Sequence, residues 1–243
     1  MKSIRIYQAG TFQVGSSIEL DRSASHHLIK VLRLKNNYTF NLFNGEGMEF
    51  SAILEVSGKR AVAHIQSSAD HSHIESDLNI HLLQGISKGE RMDFAIQKSV
   101  ELGVTSITPV NTERTVVNLN DERQQKKRQH WQAIAISACE QSGRSVLPKI
   151  NPICDFSQII KSDTNSLRLL LDPLSESNIH KVASSKDIEI LIGPEGGLSE
   201  REIKLAKEHG FIGIKMGPRI LRTETAALAA ITSVQLLWGD LAN

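Results

Sequence analysis

Cysteine is scarce in this 243-residue chain: Cys139 and Cys154 are the only two. They form no C-x-x-C pattern, so they read as reduced thiols of a cytoplasmic protein and argue against a disulfide framework or a cysteine metal site. A dominant charge is missing as well. The formal net charge is +1, which excludes an overall polyanion-seeking surface and leaves any nucleic-acid contact to a local patch. Long apolar runs are also absent. Met1-Lys2 leads straight into alternation, and the apolar C-terminal stretch is broken by Thr232, Ser233 and Gln235, so neither export nor a membrane partner is expected. No internal repeat, no G-x-G-x-x-G and no P-loop occur. His71 and His73 lack a third ligand at suitable spacing, so no metal is expected. What remains, 40% hydrophobic and 23% charged, suits one or two globular domains with a substantial core.

The first seventy or so residues read as β-rich. Residues 4–7 make a short strand, 38–43 and 49–56 flank the turn Asn44-Gly45-Glu46-Gly47, and Gly58-Lys59 connects to 61–66. Strands this short suggest a small barrel. One helix interrupts them, capped by Ser23 or Ser25, with Leu28, Val31 and Leu32 facing inward. It carries His26, His27, Lys30 and Arg33. With Arg5 and Arg22 these form either a solvated polar face or a phosphate-contacting patch. Residues 67–76 are polar and turn-rich, the best linker in the chain. The boundary is placed near residue 72, giving domains 1–72 and 73–243.

Beyond Asp77 the period changes. A strand at 78–84 leads to a helix at 90–102 with Met92, Ile96 and Val100 on one side and Gly103 after it. A strand at 107–110, a long helix at 121–142 ending in Glu140-Gln141-Ser142-Gly143-Arg144, a short helix at 156–160 and a strand at 167–171 stopped by Asp172-Pro173 follow. Alternation of this length predicts a mostly parallel α/β sheet.

Residues 191–230 organise the rest. The β-branched run Ile188-Glu189-Ile190-Leu191-Ile192 suits a buried strand, and Gly193 ends it. Pro194 removes a backbone donor, while Gly196 and Gly197 let a ligand approach the main chain. Ser199 then caps a helix with Glu200 and Glu202 in its first turn. Taken alone, this bend is either a tight connection or a ligand loop. A second one, Met216-Gly217-Pro218-Arg219-Ile220-Leu221-Arg222-Thr223-Glu224-Thr225, follows a strand at 212–215 and precedes the final helix. Two such bends at one sheet edge predict a single pocket.

With those residues in view, the chain resembles the RsmE family of small-subunit ribosomal RNA uridine N3-methyltransferases, in the SPOUT (α/β-knot) superfamily. The resemblance covers nearly the whole chain. It rests on Ile192-Gly193-Pro194-Glu195-Gly196-Gly197 and Gly217-Pro218-Arg219-Ile220-Leu221-Arg222-Thr223-Glu224-Thr225-Ala226. Lys88-Gly89-Glu90-Arg91-Met92-Asp93, Gln97-Lys98-Ser99-Val100-Glu101-Leu102-Gly103, Glu140-Gln141-Ser142 and the His26-His27-Leu28 helix support it. One departure is Arg5-Ile6-Tyr7-Gln8, where the family often has Arg-Ile-Pro-Arg.

The resemblance implies an N-terminal PUA-like RNA-binding barrel and a C-terminal trefoil-knot domain that binds S-adenosylmethionine and pairs as a homodimer. Ala226, Ala227, Ala229 and Ala230 fit close packing across such a two-fold, or equally a face buried within one subunit. The main chain of Gly193, Pro194, Glu195, Gly196 and Gly197 and of Met216, Gly217, Ile220 and Leu221 would grip the cofactor, together with Ile192, Arg222 and Thr223. Leu171, Asp172 and Pro173 would close a third side. Methylation at N3 of a uridine in 16S ribosomal RNA then assigns Arg222 to charge stabilisation or phosphate binding, and Glu224 or Glu195 to the proton. Glu140, Gln141, Arg144, Arg114 and Lys88 would lie toward the RNA. The alternative is an RNA-binding ribosome-assembly factor that keeps the fold without turnover.

Overall fold

Apolar alternation in the first part of the chain and near-continuous apolar strands in the second build two different sheets. The structure, a computed structural model, describes residues 4–115 and 120–242; Met1 and Lys2 lie outside them. The chain divides into two compact units, residues 4–75 with 139–147, and residues 76–138 with 148–242.

The first unit holds β1 (Arg5–Tyr7), β2 (Ser17–Glu19), α1 (Arg22–His26), β3 (Thr39–Phe43), β4 (Met48–Ser57) and β5 (Arg60–Asp70). Its sheet runs β1-β3-β4-β5-β2. Ile6, Leu28, Phe40, Leu42, Phe50, Leu54 and Ile65 meet in its core. α1 starts earlier than either serine cap predicts, with its cap two residues before Ser23 and four before Ser25, because the Asp21 carboxylate accepts from the Ala24 amide. It then widens into a π-helical turn, His27–Val31, closed by the Leu32 amide on the His27 carbonyl. This wider turn breaks the 3.6-residue period. Leu28 and Leu32 still face the core, Ile29 joins them, and Val31, expected inside, is 60% exposed.

The expected linker is largely structured. β5 continues to Asp70, since β4 supplies a ladder through Ser51↔Ser67 to Met48↔Asp70, and Ser72–Ile74 form a 3-10 turn. Residues 66–70 are all exposed, so their polarity reports solvent and not lack of structure.

The polar knot after the long helix belongs to this unit and holds it together. Arg5 pairs with Glu49 at 2.7 Å and donates to the carbonyls of Cys139 and Arg144, with its guanidinium 4.8 Å from the Phe43 ring centre. Arg144 pairs with Glu75 at 2.6 Å, and Glu140 accepts from the Tyr7 amide. Burial pushes the Glu140 carboxyl up, against that amide and the charges of His27 and Arg5. Burial likewise pushes the Cys139 thiol up to about 12, which marks it as an inert core group.

The second unit is organised on β6 (Asn79–Gly85), β7 (Ser106–Asn111), β8 (Lys149–Ile150), β9 (Cys154–Asp155), β10 (Leu167–Leu171), β11 (Asp187–Ile192) and β12 (Ile212–Ile214). The sheet order is β12-β10-β11-β6-β7-β8, with β9 also on β7, and all its pairings are parallel. Its helices are α2 (Glu90–Glu101), α3 (Asp121–Ser142), whose last turn lies in the first unit, α4 (Phe156–Ile159), α5 (Glu200–Glu208) and α6 (Thr223–Trp238). Leu83, Leu170 and Leu191 pack with Phe156, Ala206 and Phe211 from the α4 and α5 side. Ala226, Ala227 and Ala230 are buried within the chain, the second of the two expectations for that face. Among the described residues no helix is long and apolar enough to cross a membrane.

A charged row crosses this sheet: Arg168, Glu189 and His81 are direct neighbours on β10, β11 and β6. Arg168 pairs with Glu189 at 2.8 Å, stacks on Phe211 and donates to the carbonyls of Ile159, Ile160 and His209. One guanidinium thereby closes the carboxyl ends of α4 and α5, where the helix dipoles favour a cation. Burial pushes Glu189 up, but the bond from His81 and the Arg168 charge outweigh it and hold the carboxyl below its usual range. A depressed folded value means stability that is complete above the unfolded value of about 4.3 and is lost as pH falls through the folded one. Glu189→Gln is therefore expected to cost about 3 kcal/mol at neutral pH and to flatten the acid limb below about pH 4.3, read from urea midpoints across pH.

Candidate active site

Three neighbouring strands end side by side. β10 pairs with both β11 and β12, so the loops leaving them, at Asp172-Pro173, Gly193-Pro194-Glu195-Gly196-Gly197 and Met216-Gly217, share one edge of the sheet. Carboxyl ends of parallel strands are where such sheets bind ligands. The loops line a pocket of about 590 Å³, within the range of small-molecule sites.

Close backbone packing shapes the first bend. A Cβ on Gly193 would lie 2.8 Å from the Leu198 nitrogen, and one on Gly85 would lie 2.5 Å from the Pro194 nitrogen, so neither position accepts a side chain without a shift. The bend closes through the Gly197 amide on the Pro194 carbonyl. Ser199 then starts α5 with a reciprocal cap: its hydroxyl accepts from the Glu202 amide and Glu202 accepts from the Ser199 amide.

Thr223 joins the two bends. Gln84 Nε2, at the buried end of β6, donates to Thr223 Oγ1 at 2.9 Å, and that hydroxyl donates to the Gly193 carbonyl at 2.7 Å. Arg222 and Glu224 flank this threonine at the start of α6. On the third side, Asp172 is buried, accepts from the Leu174 amide and pairs with Lys207 of α5 at 2.8 Å.

The acids of the pocket differ. Glu195 accepts from the Lys88 amide and, at 3.4 Å, from Arg91. Partial burial pushes it up, yet the amide bonds and the Arg91 charge hold it below the usual carboxylate range. It is a poor proton acceptor at neutral pH. Glu224 is unlike it: Oε2 is buried and has no hydrogen-bond partner. A buried acceptor without a partner is costly in a folded protein and marks a place where a donor belongs.

All the residues expected around the cofactor line this pocket, from Leu171, Asp172 and Pro173 through Ile192 to Glu195, Gly196, Met216, Ile220 and Leu221, together with Arg222 and Glu224. Arg114, expected toward RNA, also lines it and donates to the Gly196 carbonyl at 2.8 Å. Lys88 does not line it; its amide holds Glu195. Glu140, Gln141 and Arg144 belong to the first unit and are not part of the lining; Glu140 and Arg144 are tied to Tyr7 and Glu75 within that unit, and Gln141 is exposed. Of the basic patch, Arg22, His26, Lys30 and Arg33 are exposed and His27 is half-buried. Arg5 drops out of it, since its guanidinium is enclosed by Glu49, two carbonyls and Phe43.

Sequence reasoning missed Gln84, Gly85, Arg91, Arg219, Leu174 and Lys207. Gln84 and Gly85 left a signal, a polar residue and a glycine at the end of an apolar strand, and Arg91 and Arg219 lie inside the motifs that carry the family resemblance without having been given a role.

Comparison with known proteins agrees with this geometry. An RNA methyltransferase domain matches residues 74–235, and an RNA methyltransferase PUA domain matches 20–65. A ribosomal RNA small subunit methyltransferase E of Buchnera aphidicola (subspecies Schizaphis graminum) is 40% identical, over 98% of this chain and 97% of its own. The chain belongs to the ribosomal RNA small subunit methyltransferase E family. A family member from Neisseria gonorrhoeae, solved bound to S-adenosyl methionine, is 42% identical with a TM-score of 0.91, covering 98% of this chain and 99% of that one. A Legionella pneumophila methyltransferase in complex with bound S-adenosylmethionine is also 42% identical, with a TM-score of 0.97 over 99% of this chain and all of that one. The fold class is accordingly that of the SPOUT methyltransferases, a parallel-sheet domain joined to a small PUA-like sheet.

Replacing Thr223 by the near-isosteric valine removes both bonds of the hydroxyl and leaves the half-buried Gly193 carbonyl without that donor. A loss of about 2 kcal/mol in urea unfolding is expected, with Thr223→Ser recovering most of it.

Proposed function

We propose that this chain transfers a methyl group from S-adenosylmethionine to N3 of a specific uridine in small-subunit (16S) ribosomal RNA, working in the cytoplasm as a homodimer. Residues 1–72 would hold the RNA through Arg22, His26, Lys30 and Arg33, and residues 73–243 would carry out the transfer. The observation that carries this is the partnerless, buried Oε2 of Glu224 in a pocket built from three strand-end loops. The residues fit the cofactor: closely packed glycine backbone at Gly193, an apolar floor of Ile192, Leu198 and Ile214, and a volume suited to a nucleoside-sized ligand.

When bound, S-adenosylmethionine supplies an electrophilic methyl carbon on a sulfonium sulfur. The chain's own residues handle the acceptor. Uracil N3 carries a weakly acidic proton between two carbonyl groups, and it becomes nucleophilic as that proton leaves. Glu224 Oε2 lacks a donor, and an N3–H supplies one. The proton passes to this carboxylate while the Arg222 guanidinium, exposed at the pocket, donates to a uracil carbonyl oxygen where negative charge spreads. Cytosine presents N3 as an acceptor and would face the carboxylate without a hydrogen bond, so the same pair selects uracil. Glu195 is held by Lys88 and Arg91 and stays ionised as a fixed wall. Support for the homodimer comes from Phe94 on α2 and Leu236 on α6, exposed apolar residues on two helices that pack together.

The test is methyl transfer from labelled S-adenosylmethionine to small ribosomal subunits of cells deleted for this gene, followed by mass spectrometry of the nucleosides. N3-methyluridine at one position is the expected product. Glu224→Gln should lower kcat about 100-fold and Arg222→Ala about 100-fold or more, with cofactor affinity nearly unchanged. Cofactor binding without any methylated nucleoside would instead favour the assembly-factor alternative.

A further inference from the structure

The two most exposed large apolar side chains among the described residues are Leu174 and Ile220, each at 87%. Both line the pocket. Single exposed aliphatics are ordinary, but two on one rim are an apolar lip.

The loop that displays Leu174 is held in place. Asp172 accepts from the Leu174 amide at 3.0 Å, is itself tied to Lys207, and Ser175 donates to the Gly213 carbonyl on β12. Ile220 sits in the bend between β12 and Thr223, whose hydroxyl is locked to Gly193. β10 and β12 are paired through Leu171↔Ile214, so the two loops leave adjacent strands.

The floor and the lip differ in burial. Ile192, Leu198 and Ile214 are buried, which suits a resident ligand, while Leu174 and Ile220 face solvent and meet whatever arrives afterward. Ile220 lies between Arg219 and Arg222, and both arginines line the same pocket. Cations beside an apolar lip fit a planar base attached to a phosphate backbone.

We propose that Leu174 and Ile220 are the jaws that hold the target uracil ring after it is turned out of the RNA, with Arg219 taking the adjoining phosphate. This rests on the methyltransferase activity proposed above. The main chain at Ile220 would serve the cofactor, and its exposed side chain would be left for the base. Aliphatic contact covers the ring faces and reads no base edge, so the jaws supply affinity and leave base choice to Glu224 and Arg222.

The test uses the full-length protein with Leu174→Ala, Ile220→Ala and Arg219→Ala. It measures KM and kcat on unmodified small subunits, S-adenosylmethionine affinity by calorimetry, and mass by light scattering. Each jaw variant is expected to raise KM for the subunit about tenfold, as loss of a buried aliphatic contact does, with cofactor affinity and mass unchanged. Leu174→Met and Ile220→Leu should restore it. Arg219→Ala should reduce the salt dependence of subunit binding by about one unit of slope. Cofactor affinity falling while KM holds would assign the jaws to the cofactor, a fall in mass would assign them to a second copy of the chain, and no change would remove their role; each overturns the proposal. Wild-type protein that makes no N3-methyluridine would instead overturn the activity, leaving the jaws to be judged by subunit binding alone.

Discussion

One hydroxyl holds the pocket's two halves in register. Thr223 takes a hydrogen from Gln84 and gives its own to Gly193, so the end of β6, the end of β11 and the start of α6 meet at a single side chain. Parallel strands bring loops to a common edge but do not by themselves fix the distance between them. The Thr223 bonds do. Because Arg222 and Glu224 are its immediate neighbours, the placement of the two side chains proposed to react follows from a bond made entirely inside the protein.

Around this tie the chain separates rigid groups from available ones. Asp172, Glu195 and Glu202 all have partners, and each holds a loop: Asp172 the turn after β10, Glu195 the approach to α2, Glu202 the start of α5. Arg168 does comparable work at the other end of the same strands, closing two helix ends while paired to Glu189. Against that background the partnerless Oε2 of Glu224 and the outward Leu174 and Ile220 are exceptions. Gln84 Oε1 and Ser99 Oγ are also buried without a partner, but of the three residues only Glu224 lines the pocket, where a substrate's own donor can reach it.

The first unit shows how charge can mislead. Arg5 and Arg144 look from their sequence context like RNA contacts. Both are instead internal braces, paired with Glu49 and Glu75. A guanidinium is equally suited to a phosphate and to a carboxylate, and which partner it finds depends on residues far away in the chain.

Much was legible locally. Hydrophobic period and breakers place β10 at Leu167–Leu171, α3 at Asp121–Ser142 and the Ser199 cap of α5, since these depend on neighbours within a few residues. The two glycine-rich bends, their meeting at one edge and the motifs that mark the family were readable too, because strand-end backbone chemistry is written in Gly and Pro. Other features depended on distant partners. β5 runs through a serine-rich stretch because β4 offers it a ladder, and Val31 turns outward because a π turn replaces an α one. The pairing of Thr223 with Gln84, the enclosure of Arg5 and Arg144, and the exposure of Leu174 and Ile220 are matters of burial and long-range contact. A residue's type sets which bonds it can make, and only the tertiary structure decides which partner is within reach.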